Sequence, residues 1–272
     1  MQEMLIQAGH TERNYWRDVW RFRELFYFLA WRDVLVRYKQ TVLGVTWALL
    51  QPFLTMLVFT LVFGRLAKLP SHGAPYPVFV FAALLPWQFF SRALSESSTS
   101  LITNTNLISK VYFPRLIVPM GTIVVALVDF LIAFAILAGL MAWYSYWPAP
   151  RMLLLFLLIP AAVAVAVGPG LLIAALNVRF RDFRYVVPFI VQLGMYISPV
   201  GFSTDIVPDK WKLLYSLNPM VGLIDAFRWV IVGPGSPVYL PSLYISGVMI
   251  VVMLALGIWY FRKTERTFAD II

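Results

Sequence analysis

"LLYSLNPMVGLIDAFRWVIV", Leu213–Val232, is apolar enough and long enough for a membrane span, and whether it crosses decides the topology. A hydrocarbon core of ~30 Å takes about 20 apolar residues as a helix. Asn218-Pro219 breaks this run, however, and Asp225 and Arg228 charge its second half. Asn at the N-cap, Pro at the first helical position and Gly233 just beyond the end predict a separate short helix. With a second helix near Pro208–Ser216, the stretch reads as a re-entrant or interfacial helical pair.

Six other apolar runs flank it, at about 46–66, 76–93, 116–144, 152–177, 185–202 and 242–261. With 61% hydrophobic and 13% charged residues and a mean hydropathy of +0.78, the chain reads as an all-α polytopic membrane protein. Only helices and closed barrels satisfy backbone groups in lipid, and these runs lack the alternation of a barrel. Pro160 and Gly168-Pro169-Gly170 predict kinks in the fourth helix. No internal repeat is evident.

A seventh crossing would also offend the charge pattern. Of 22 Lys and Arg, 16 fall in the N-terminal segment, the 2–3 loop, the 4–5 loop and the tail. The other side holds Arg65, Lys68, Arg151, Lys210, Lys212 and Arg228. Basic residues collect in the cytoplasm, so six spans with both termini inside satisfy the rule. Residues 1–45 then form a cytoplasmic segment ahead of a transmembrane domain, 46–272. Within that segment Arg17, Asp18, Arg21 and Glu24 share one helical face, while Trp16, Val19, Trp20, Phe26 and Tyr27 fall elsewhere. This pattern predicts an amphipathic helix in the membrane interface; the alternative is a helix packed on its own protein.

Several chemistries are excluded. There is no GxxxxGK[ST] phosphate loop, HExxH or GxSxG, and no cysteine. His10 and His72 are far apart, so no metal site is expected. The basic residues form no nucleic-acid stripe. Asp129 is the lone carboxylate deep in a span, a functional hypothesis by default. The alternative is a carboxyl that is protonated or hydrogen-bonded to a neighbouring helix. A carrier driven by protons or sodium needs several such ligands, so an energy source outside the chain is expected. Phe53, Phe59, Phe63, Trp87, Phe89, Phe90 and Tyr196 are either packing groups or flat faces lining a path along which sugar rings can slide.

Four ordered motifs carry a resemblance: "RYKQTVLGVTWALLQPFL" (Arg37–Leu54), "KVYFPRLIVP" (Lys110–Pro119), "RFRDFRYVVPFIVQ" (Arg179–Gln192) and "NPMVGLIDAFRWVIVG" (Asn218–Gly233). Together they resemble the permease subunits of ABC-2-type polysaccharide exporters, which handle lipid-linked O-antigen, capsule or teichoic acid. The resemblance implies a homodimer in the bacterial cytoplasmic membrane, with two separate ATPase subunits that bind ATP and magnesium. It implies no cofactor and no enzymatic activity in this chain. It also implies a coupling helix around Ser97–Ile108 that includes Ser100, Leu101 and Asn104, with Lys110 and Arg115 anchoring its return. Arg179, Arg181 and Arg184 make a second contact. Arg37 and Lys39, with Leu43-Gly44 following, match a cytoplasmic gate. Those two cations are either contacts for a polyprenyl pyrophosphate or charge anchors. The competing readings are an ABC-2 exporter of a drug-like or lipid molecule, a membrane enzyme acting on polyprenyl-linked sugars, and a secondary carrier.

Overall fold

The computed structural model describes residues 15–39, 42–147, 149–236 and 238–268. They form helices α1 (Tyr15–Arg21), α2 (Arg23–Lys39), α3 (Val42–Phe59), α4 (Tyr76–Thr103), α5 (Thr105–Lys110), α6 (Ile117–Trp143), α7 (Leu155–Arg179), α8 (Phe183–Ile197), α9 (Asp209–Tyr215), α10 (Pro219–Ile231) and α11 (Leu240–Thr264). A π-helical turn, Thr60–Leu66, prolongs α3, and a 3-10 turn, Pro150–Leu154, leads into α7. No strand occurs among the described residues.

Five stretches are long and apolar enough to cross a membrane: Leu49–Leu66, Tyr76–Thr103, Ile117–Trp143, Pro150–Arg179 and Leu240–Thr267. The expected fifth span, 185–202, is a helix of only 15 residues, Phe183–Ile197. At 1.5 Å per residue it is about 22 Å long, short of a ~30 Å core. Ser198 ends it with an extended ψ of 152°, because the residue before a proline is pushed out of the helical region. Elsewhere the edges move outward. α3 starts at Val42 and α4 runs on to Thr103. α7 continues through both Pro160 and Pro169.

α4 is the centre. Of its most apolar window 72% is buried, against 17% for the α3 stretch. Helices α6, α7, α10 and α8 pack around it, and α11 lies on the far side of α7. Small residues permit the close approach. Ser97, Ser98 and Ser100 are buried and return their hydroxyls to carbonyls three residues back, leaving nothing unpaired. Asn177 of α7 donates to the Ser98 carbonyl at 2.8 Å. Between α7 and α11 the backbones themselves meet. A Cβ on Gly168 would stand 2.6 Å from the Met253 carbonyl, and one on Gly257 would collide with the Gly168 carbonyl oxygen.

The opening stretch folds as two helices, α9 and α10, and Asn218 caps α10 by accepting from the Met220 amide at 3.0 Å. α10 has 13 residues, too few to span. Arg228 locks it down. Its guanidinium donates to the carbonyls of Phe202 at 2.6 Å and Val200 at 2.7 Å, and lies 4.0 Å over the Phe79 ring. Thr204 donates to Asp225 at 2.7 Å, and Tyr76 donates to the Gly201 carbonyl at 2.6 Å. These contacts gather at one end of the bundle. The ends of α4, α7 and α11 and the starts of α6 and α8 lie at the other.

Candidate functional site

α2 runs beside α6 in the same direction. The Ala30 backbone faces Gly121, and Tyr38 reaches Asp129, eight residues further along both helices. Leu29 and Ala30 are buried on that side. On the outside, Trp16, Trp20, Tyr27 and Trp31 are exposed, and Tyr27 stacks on Trp31. The expected amphipathic helix is thus two helices, α1 and α2, broken at Phe22; Trp16, Trp20 and Tyr27 are exposed along with Arg17, Arg21 and Glu24, and the buried residues pack on the chain's own bundle.

Where α2 ends, five side chains from three helices meet. Arg92 Nη1 of α4 lies 2.5 Å from Asp129 Oδ2 of α6, and Arg37 Nη2 lies 3.3 Å from the same oxygen. The Tyr38 hydroxyl donates to Asp129 Oδ1, and Arg37 Nη1 donates to Glu96 Oε1 at 2.6 Å. The Asp129 side chain is 7% exposed, and a carboxylate at that depth is tolerable only when paired and hydrogen-bonded. Asp129 is thus bonded to two neighbouring helices, α2 and α4. Burial alone would lower the Arg37 guanidinium, but Glu96 and then Asp129 more than offset it, and the net shift is upward. Burial, with the hydrogen bond to Asp129, pushes the Tyr38 phenol well up. Against the cluster lies a cavity of about 60 Å³ between α3, α4 and α6, whose polar lining includes Gln51, Gln88, Ser91, Arg92 and Asp129.

A double-mutant cycle on Arg37→Gln and Glu96→Gln measures how firmly this cluster holds α2. Both side chains keep roughly a third or less of their surface in solvent, so a coupling of about 1 kcal/mol is expected. Protease sensitivity of α2 is the readout. Strict additivity would show that the pair holds nothing.

At the basic end, Lys110, Arg179, Arg181 and Arg184 are exposed. Arg115 is engaged within the chain: its backbone amide donates to Glu265 Oε1 at 2.6 Å and its guanidinium to the Glu265 carbonyl. The helix expected over Ser97–Ile108 is divided. Asn104 ends α4 and starts the short α5, with Arg32 reaching its side chain at 3.3 Å. Ser100 and Leu101 are buried inside α4's packing, which corrects their placement on a contact surface; α5 is the part that faces outward. Lys39 is exposed. Leu43 and Gly44 fall in the first turn of α3, where the side-chain surroundings lie outside the described residues.

The aromatic set also divides. Phe59, Trp87 and Phe89 are buried in the core; Phe89 packs against Phe130 and borders the cavity beside the charge cluster. Phe53 and Tyr196 are exposed, and Phe63 and Phe90 keep part of their surface. The sequence reading missed Tyr38, Glu96 and Glu265 as partners, and counted Arg92 and Arg228 only as charges. A signal existed for two of them: Arg92 and Glu96 stand four apart on a largely apolar helix, and so share a face.

A bundle with five helices long and apolar enough to cross a membrane, packed around a buried charge cluster, defines a multi-pass membrane protein. The ABC-2 type transporter family matches residues 24–232, and the chain belongs to that family. It is 27% identical over 258 residues to the O-antigen export system permease protein RfbA of Myxococcus xanthus, covering 94% of this chain and 98% of the relative. A Klebsiella pneumoniae RfbA is 26% identical over 92% of this chain and 95% of its own. The polysialic acid transport protein KpsM of Escherichia coli is 26% identical over 86% and 91%. The chain is thus a transport permease, as the motifs led one to expect, rather than an enzyme.

Proposed function

We propose that this chain is the permease subunit of a polysaccharide exporter in the bacterial inner membrane, working as a homodimer with two ATPase subunits. The carrying observation is the match to O-antigen permeases over nearly the whole of both chains. Geometry supports it in two ways. Lys110, Arg179, Arg181 and Arg184 stand exposed at one end, a surface suited to a motor subunit. The apolar faces of α3 and α8, with Trp47, Phe53, Leu57, Phe189 and Leu193 exposed, offer themselves to a second copy. The basic end lies in the cytoplasm and α9–α10 form an outer, re-entrant pair, in keeping with the charge rule. α8, too short alone, completes the sixth crossing with the segment that follows it. The cargo is a glycan carried on a polyprenyl pyrophosphate. ATP binding pushes on α5 and moves α3 and α8, because the two nucleotide states contact the turn differently.

Deleting the gene is expected to abolish surface polysaccharide and to accumulate lipid-linked polymer inside the cell. Normal surface polysaccharide would instead assign the chain to a drug-like or lipid cargo. Replacing Lys110, Arg181 and Arg184 together with glutamine is expected to leave the protein folded while export falls by about an order of magnitude or more. Full export in that variant would remove these turns from the motor contact.

A further inference from the structure

At the end of the bundle where α9 and α10 lie, one short turn carries two ties. Thr204 and Asp205 stand side by side in a 3-10 turn, Thr204–Ile206. Thr204 donates to Asp225 Oδ1 at 2.7 Å, which ties the turn to α10. The other oxygen, Asp225 Oδ2, is buried and has no hydrogen-bond partner. Asp205 Oδ2 lies 3.3 Å from His72 Nε2, which ties the turn to the loop between α3 and α4. That nitrogen is also buried and makes no hydrogen bond. Charge alone holds the second tie, and an imidazole has charge only when protonated. The His72 backbone is set at a left-handed φ of 54°, with the ring 6.4 Å from that of Phe79 on α4. A Cβ on Gly235 would stand 2.8 Å from the His72 carbonyl oxygen, so the loop is closely packed there.

We propose that this turn is an acid-tightened latch, which holds the α3–α4 loop against α10 while Asp225 and His72 carry protons and releases it when both are lost. A proton on Asp225 Oδ2 turns a desolvated charge into a neutral carboxyl and leaves the Thr204 bond to Oδ1 intact. Ionised, the same group is drawn toward water and away from the turn. Burial is the main cause that pushes the Asp225 carboxyl up, to about 6, and Asp205 adds to it, while the Thr204 bond and the Arg228 guanidinium act the other way. The Tyr215 phenol of α9 also faces Asp225; burial and that carboxylate push it up, so it adds no charge near neutrality. Lys212 of α9, paired with Asp209 at 2.7 Å, also feels the charge of Asp205. The sign follows from the direction of the shift. A carboxyl raised in the folded state contributes fully below its ordinary value, ~3.9, and the contribution is lost as pH rises through about 6. The His72 tie weakens in the same direction, because its attraction to Asp205 also needs the proton. Which side of the membrane supplies the acid rests on the topology proposed above; the latch itself stands without it.

The chain has no cysteine, so Leu66→Cys, beside the α3–α4 loop, and Leu213→Cys on α9, both at exposed positions, can carry a spin-label pair. The distance is read on the full chain in phosphatidylcholine nanodiscs from about pH 5 to about pH 7.5. A short distance is expected at the acid end, with a longer component that grows roughly tenfold across the range around a midpoint of about 6. Asp225→Asn, neutral at every pH, is expected to keep the short distance to the alkaline end. His72→Gln is expected to show more of the longer component at the acid end, and the double variant is expected to give a flat profile. A flat profile in the labelled parent, a longer component that grows in acid, or a pH dependence unchanged in Asp225→Asn overturns the latch. The labelled parent keeps His72, Thr204, Asp205 and Asp225, so its own titration decides even where Asp225→Asn does not fold. No export is measured, so failure here leaves the transport assignment to its own deletion test.

Discussion

Arg228→Met is expected to destabilise the protein by about 3–5 kcal/mol, seen as a melting midpoint lower by about 10 °C in detergent and a depleted membrane fraction. The side chain is 1% exposed and its bonds reach outside its own helix, to the carbonyls of Val200 and Phe202 in the segment after α8 and to the ring of Phe79 on α4. Methionine fills a similar volume but donates nothing. Two carbonyls then lose their donor, and Asp225, 3% exposed and held by Thr204, loses the charge of the nearby guanidinium. Removing one side of a buried polar arrangement costs more than the arrangement contributed, since the remaining side stays desolvated. Arg228→Lys keeps a charge without the fork and should fall between the two. A midpoint for Arg228→Met within about 2 °C of wild type would show that the carbonyl cage is not what seats α10.

Gly257→Ala is expected to cost roughly 3 kcal/mol or more despite adding one methyl group. That methyl meets the carbonyl oxygen of Gly168, which is backbone and cannot turn aside. The only relief is separation of α7 from α11 along their length. Gly247→Ala, on the same helix, has nothing within 4 Å of its new Cβ. It should be neutral or gain up to about 1 kcal/mol from helix propensity. Opposite signs for two identical substitutions on one helix are the measurement to make. Equal melting midpoints for both would mean that the helices do not touch as described.

The features legible in the sequence were those written locally. Asn218, Pro219 and Gly233 announced α10, and its Asn cap is in place. Apolar runs located every long helix, because length and hydropathy are properties of contiguous residues. Ser198-Pro199 carried the signal that ends α8, and the continuing run of apolar residues outweighed it. The charge cluster was not readable in this way. Arg37 and Asp129 are 92 positions apart, and nothing in the spacing of either helix states that α2 lies along α6. Trp87 and Phe89 looked like candidates for a path because aromatic character is visible in a sequence, whereas the side of a fully enclosed helix on which a ring falls is not.

The Gly168–Gly257 contact also divides the molecule mechanically. Two backbones in direct touch have no side-chain layer to shear, so α7 and α11 behave as a fixed plate with α4 seated on it. α3 and α8, with little cover from their own chain, have no such weld. Under the coupling proposed above, a push at the short α5 turn would meet a stiff wall on one flank, and its displacement would appear on the other as a hinged door rather than a swelling of the whole bundle.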